Sequence, residues 1–200
     1  MIFLGLEGMT EMKTNQCGST MIEAMAAIAI VGVLTVAGLK LAASLFDLFK
    51  QNMVVNEIRE LQKNISARYS ADGDYTALGE ADLDQLIKDK IIPNQMVADG
   101  KIFHSLSGEV SVGPSALEDY YFQVTFYELS TRGCLNLSQI NWTTSQNTAQ
   151  LIQLQVNDKV FKLPIKDVSV TADNALPMNV SKASGACKSG KVNTITWTFL

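Results

Sequence analysis

The residues equipped for chemistry are few. The chain has one histidine, His104, and three cysteines, Cys17, Cys134 and Cys187, among 200 residues. No CxxC spacing and no histidine beside a cysteine sets up a metal or redox centre, and a lone histidine leaves few routes to a serine-type triad. His104 stands between Phe103 and Ser105 and reads as an ordinary surface or turn residue. Asp72 and Asp74 flank Gly73, but the remaining oxygen ligands of a calcium loop are missing, so the trio reads as a turn. The Asn-x-Ser/Thr tripeptides at Asn64, Asn136, Asn141 and Asn179 read as chance matches. A phosphate-cradling glycine loop, a nucleophile elbow and a paired acid–base motif are all missing from the sequence. The expectation is therefore no catalytic site, no metal and no cofactor. One carboxylate stands apart. Glu23 borders the uncharged stretch Ala24–Leu39, and a carboxylate within a membrane-depth helix costs about 2.5–3.5 kcal/mol on insertion scales and usually has an assigned partner. That makes Glu23 a functional candidate.

The elements that must position these groups follow from patterning. Hydrophobic content of 47% with 18% charged residues excludes a disordered chain. A net charge of −4 and a pI near 5.0 argue against binding nucleic-acid backbone. The mean hydropathy of +0.12 is concentrated near the N-terminus. Ala24–Leu39 would span ~24 Å as a helix, just under a ~30 Å hydrocarbon core. Extension to Ser19 and Phe46 reaches across, with Glu23 near one end and Lys40, able to snorkel, near the other. Residues 1–18 do not form an ordinary secretory leader: Glu7 and Glu11 outnumber Lys13, and the polar Asn15-Gln16 approach to Cys17 excludes a lipoprotein site.

Past the apolar stretch, Val54, Ile58, Leu61, Ile65 and Tyr69 recur at helical spacing, with Asn56, Glu57, Arg59, Glu60, Lys63 and Asn64 on the opposite face. One helix from Ser19 to Ser70 results, apolar all round in its first half and amphipathic in its second. Gly32 and Gly38 within it fit either close helix–helix approach or a segment that unwinds. A second helix is expected over Ala81–Ile91 before Pro93, and another near Thr131–Asn141. Tyr120, Phe122, Val124 and Phe126 alternate with Tyr121, Gln123, Thr125 and Tyr127 as a half-buried strand. Ile152, Leu154 and Val156 face inward from a strand that turns at Asn157-Asp158 into Lys159–Leu163. Val192–Leu200 places Ile195, Trp197 and Phe199 inward and Thr194, Thr196 and Thr198 outward. The fold class is α+β: a long N-terminal helix with an apolar first half, and an antiparallel sheet laid over the second.

Gly18 followed by Ser19-Thr20-Met21-Ile22-Glu23 and a helix rich in Ala, Ile and Val resembles the prepilin signature of type IV pilins. The resemblance implies cleavage between Gly18 and Ser19 by a prepilin peptidase, N-methylation of Ser19, and an assembly role for Glu23. Family leaders are basic, whereas this one is net −1; a start at Met9 or Met12 in place of Met1 would give a basic leader and change nothing after Gly18. The order of elements in the head, with Gly108–Pro114, the aromatic strand, Cys134, Cys187 and a terminal strand, is similar to the type IVb subclass, notably bundle-forming and plasmid-conjugation pilins. The implied organisation is a leader at 1–18, a transmembrane or filament-core half-helix at 19–46, and a periplasmic then extracellular head at 47–200.

With Cys17 lost in the leader, the mature chain keeps an even pair, and in an oxidising periplasm Cys134 and Cys187 read as a disulfide. Closing that loop would remove chain entropy worth about 4 kcal/mol. The implied partners are further copies of the chain in a helical homopolymer, the prepilin peptidase, an assembly ATPase with its inner-membrane platform, and the inner membrane of a Gram-negative cell before assembly. A surface filament for adhesion, aggregation or mating-cell contact is the implied function. A minor pilin, a pseudopilin, or a membrane-anchored periplasmic binding module that never assembles are the alternatives left open by the sequence.

Overall fold

The computed structural model describes residues 19–142, 151–163, 171 and 173–200, apart from the side chains of residues 19, 20, 36–44 and 47. The leader, with Cys17 and Gly18, lies outside the described residues. The chain divides into two compact units, Met1–Phe46 and Asp47–Leu200. Helix α1, Ser19–Tyr69, has 51 residues and contributes to both. It is continuous through Gly32, which has nothing within 4 Å of where a Cβ would stand. In the first unit its described side chains are exposed all round; Met21, Ile28 and Leu34 keep 68%, 73% and 65% of their surface. Among the described residues no helix is long and apolar enough to cross a membrane; the side chains at the end of the apolar stretch, 36–39, lie outside them.

The second unit is a five-stranded antiparallel sheet with helices on its inner face. Helices α2 (Thr76–Glu80) and α3 (Leu83–Lys88) follow α1. A small hairpin of β1 (Val97–Ala98) and β2 (Lys101–Ile102) leads to β3 (Val110–Pro114) and β4 (Phe122–Leu129). Then come α4 (Thr131–Ser138), β5 (Leu151–Val156), β6 (Lys159–Lys162), α5 (Val180–Ala186) and β7 (Asn193–Phe199). The strand order is β3-β4-β7-β5-β6, so β7 is central.

The stripe on α1 is buried as its spacing requires: Val54, Ile58, Leu61 and Ile65 are fully covered and Tyr69 nearly so. Against it pack Phe122, Phe126, Trp197 and Phe199 from β4 and β7. Phe126 and Trp142 both meet Trp197 edge to face, at 5.5 and 5.6 Å between ring centroids.

Several expectations need correction. Glu57 does not sit on the solvent face of α1; it is 5% exposed. Its position three residues after Val54 and four before Leu61 puts it on the flank of the buried stripe. The helix expected at Ala81–Ile91 starts at Leu83, because Asp82 caps it by accepting from the Gln85 N–H at 2.8 Å, and ends at Lys88. A separate short helix, α2, precedes it. In β4 the expected alternation holds from Phe122 to Phe126, but Tyr120 lies outside the strand and is exposed. Three residues from Phe126 to Leu129 then span two on β7, and Glu128 adopts φ 55°. The extra residue flips the parity and returns Leu129 to the core. A second irregularity between Leu151 and Gln153 buries Leu151 in place of Ile152. Thr198, expected outward, is 3% exposed because β7 has a strand on each side. Helix α4 stops at Ser138, short of Asn141.

Leu61→Ala should lower the unfolding free energy of the mature chain by about 2–5 kcal/mol, whereas Lys63→Ala should change it by no more than about 0.5 kcal/mol. Urea unfolding in detergent followed by tryptophan fluorescence measures both.

Candidate functional site

Two regions carry the candidate residues. The first is the start of α1. Ser19 opens the helix and Glu23 lies four residues on, about 6 Å along the axis or one turn. Glu23 is exposed and makes no ion pair among the described residues. Around it Met21, Ile22, Met25 and Ile28 present a bare apolar surface. A carboxylate fixed on such a surface is poorly solvated once that surface is covered, which favours a cover that brings a cation or hydrogen-bond donors. The backbone nitrogen of Ser19 stands about one helical turn from Glu23.

The second region is the disulfide. Cys134 and Cys187 are bonded, with Cα atoms 5.9 Å apart and a sequence separation of 53. Cys134 lies on α4, whose N-cap Ser130 accepts from the Gly133 N–H at 3.1 Å. Cys187 follows α5, capped by Asn179, which accepts from the Lys182 N–H at 2.9 Å. That cap occupies one of the four Asn-x-Ser/Thr asparagines. A second, Asn64, donates to the Ile91 carbonyl at 3.2 Å.

A buried amide network surrounds this bridge. Asn193 is fully covered; its Nδ2 donates to the carbonyls of Leu129, Lys188 and Gly190 at 3.1, 2.9 and 3.3 Å. Its Oδ1 accepts from the Lys188 N–H at 2.6 Å and from Asn157 Nδ2 at 3.0 Å. Asn157, at φ 53° in the β5–β6 turn, also donates to the Ala186 carbonyl at 2.8 Å and accepts from the Thr194 N–H at 3.0 Å. Two asparagines thus tie the ends of β4, α5, β7 and the hairpin to one point beside the disulfide. The turn at Asn157-Asp158 was legible in the sequence; the role of Asn193 carried no local signal.

His104 is not on the surface. It is 3% exposed and stacks on Phe126 at 4.9 Å between centroids. Its Nε2 donates to the Tyr127 carbonyl at 2.8 Å, and its Nδ1 accepts from the Leu106 N–H at 3.1 Å. That pattern fixes the neutral tautomer. Burial holds its pKa below the ordinary 6.5, opposed by the Tyr127 carbonyl. The turn closes at Gly108, where a Cβ would collide with the Tyr127 carbonyl and the His104 ring. The intervening Ser105 donates its N–H to Glu57 at 3.1 Å and its hydroxyl to the same carboxylate, joining the turn to α1. Asp72 and Asp74 serve a turn: Asp74 accepts from the Thr76 N–H at 3.0 Å, and Gly73 takes φ 80°. Among the described residues no group of three or more potential metal ligands occurs.

Comparison with known proteins agrees with these elements. A sequence profile described as PilS N terminal matches residues 49–200, and one described as the prokaryotic N-terminal methylation motif matches residues 13–39. Among solved structures, the type IV b pilin from Salmonella typhi is similar with a TM-score of 0.52 at 16% identity, over 73% of this chain and 97% of that one. TcpA, a type IV pilin from Vibrio cholerae El Tor biotype, has a TM-score of 0.48 at 12% identity, over 76% and 99%. No curated protein sequence matches the chain.

Two outcomes are expected. Cys134→Ser should lower the unfolding free energy by up to about 4 kcal/mol, the loop-closure entropy restored to the unfolded chain, read as a fall in Tm without reductant. Because the folded His104 pKa is depressed, its contribution to stability is full above about pH 6.5 and is lost as pH falls through the folded value. Tm should therefore decline as pH falls below about 6.5, and in His104→Gln the part of that decline due to the imidazole should be missing.

Proposed function

The chain belongs to the PilS family of type IV pilins, and from that premise we propose that it is the structural subunit of a type IVb pilus on a Gram-negative cell. Type IV pilins are structural subunits, not enzymes, and the methylation motif at 13–39 implies processing by a prepilin peptidase and polymerisation. On this reading the peptidase cuts between Gly18 and Ser19 and methylates the Ser19 amine. Residues 19–46 then hold the precursor in the inner membrane and afterwards pack in the filament core, and 47–200 form the exposed head. An assembly ATPase and inner-membrane platform drive the transfer.

The observation that carries the reading is the bare apolar surface of α1 with Glu23 embedded in it. Large side chains such as Met21, Ile28 and Phe49 are left more than 60% exposed, a state a chain in water does not keep when like surfaces are available to cover it. Helix-on-helix packing of these residues supplies cohesion. The pairing of each Ser19 amine with the Glu23 carboxylate of a neighbouring copy sets axial register, since either charge alone in that core would cost several kcal/mol. Adhesion, aggregation or mating-cell contact is the role proposed for the assembled filament.

Material sheared from the cell surface should contain the chain as its main component, beginning at N-methylated Ser19 by intact mass and N-terminal peptide. A full-length, unmethylated chain confined to membranes would overturn the proposal. Glu23→Val should leave processing and subunit level near wild type while filament yield falls at least about tenfold, the loss expected when about 1.4 kcal/mol or more of pairing is removed per contact. Normal filament yield in that variant would refute the register role alone.

A further inference from the structure

On the face of the sheet turned away from α1, four strands bring polar residues into one row. Gln123 is opposite Thr198, Thr198 opposite Gln153, and Gln153 opposite Lys162. Gln153, in the middle of the row, is 8% exposed, and among the described residues its side-chain amide has no hydrogen-bond partner. Its amide atoms are not among the sealed, unpartnered ones of the described residues, so they stay open to water and available to a ligand.

That amide opens on a recess of about 220 Å³ walled by Leu117, Glu118, Tyr120, Tyr121 and Lys162. The two tyrosine rings meet edge to face with centroids 4.5 Å apart, and Tyr120 keeps 46% of its surface open. The lining narrows the chemistry of an occupant. The Gln153 amide offers two donors and one acceptor at the floor. Aromatic faces at the wall favour a ligand with a flat patch of C–H groups. Lys162 and Glu118 cancel in charge, which disfavours a phosphate or a carboxylate. A wholly apolar occupant would leave Gln153 unpartnered.

We propose that this recess is a subsite for one neutral pyranose residue of a saccharide. Its volume matches a single sugar ring, so the rest of a longer glycan would extend into solvent. A filament whose core is built from α1 leaves this face of the sheet outward; that accessibility rests on the filament reading above, whereas the binding does not.

The test uses the mature chain in detergent micelles, so it requires no filament. Saturation-transfer NMR is run with methyl galactopyranoside, methyl glucopyranoside, methyl mannopyranoside and N-acetylglucosamine as probes. At least one should receive saturation, strongest on its axial C–H protons, with a dissociation constant on the order of millimolar for so small a ligand. Gln153→Ala and Tyr120→Ala should each weaken it about tenfold or more with Tm unchanged. No transfer to any of the four probes up to about 50 mM, or transfer that Tyr120→Ala leaves intact, would overturn the proposal. Tyr120 is exposed, so its variant decides the matter even where Gln153→Ala unfolds the head.

Discussion

The fold of the head depends on one seam, the stripe from Val54 to Tyr69 on α1 seated against the inner face of the sheet. Every large inward residue of β4 and β7 lies in the same core as that stripe. Its burial takes the helix's second half out of water and orders the sheet at once. The first half of the same helix has the opposite problem. It is as apolar, yet in the single chain its described side chains remain exposed. One continuous helix therefore carries a satisfied half and an unsatisfied half, and the second is what drives the chain toward copies of itself.

On the proposed reading electrostatics gives this drive its selectivity. Dispersion and hydrophobic packing between Ala-, Ile- and Val-rich helices are tolerant of sliding, since one apolar turn resembles the next. A single carboxylate in that surface is not tolerant, because its free energy changes by several kcal/mol between paired and unpaired positions. On the proposed reading Glu23 does for axial register what a buried polar residue does for a coiled coil: it lowers cohesion slightly and penalises every misaligned neighbour far more. The head meets the same problem internally with Asn193, a buried amide whose five hydrogen bonds admit one arrangement of β4, α5 and the hairpin turn.

What was legible in the sequence was whatever a local period or a local covalent unit encodes. The α1 stripe, the alternation of Phe122, Val124 and Phe126 and the Asn157-Asp158 turn all lie within a few residues of their own signal. The rest needed a partner distant in the chain. Glu57 looked solvated because its partner, the turn at Ser105, is 48 residues away. His104 looked like a surface turn because the carbonyl that receives its proton belongs to Tyr127. The irregularities at Phe126–Leu129 and Leu151–Gln153 are properties of strand pairing with β7, and alternation within one strand cannot reveal them. Helix α5 is short and rich in Ser, Gly and Ala, and it exists because the Asn179 cap and the disulfide hold its two ends.

The central place of β7 has a temporal consequence. It follows the other described strands in the chain, yet among the described residues it is the one that joins the β3–β4 pair to the β5–β6 hairpin. Until it arrives the nascent chain holds two separate ribbons, neither of which can stand alone in water. Closing the sheet also means bringing Thr196 back to Thr125 across a separation of 71 residues, a slow kind of contact to find. A chain cut short before Asn193 is therefore not a weakened head but an open one with two unpaired ribbon edges. Arrival of β7 becomes the step at which a subunit turns from a substrate for proteases into a building unit.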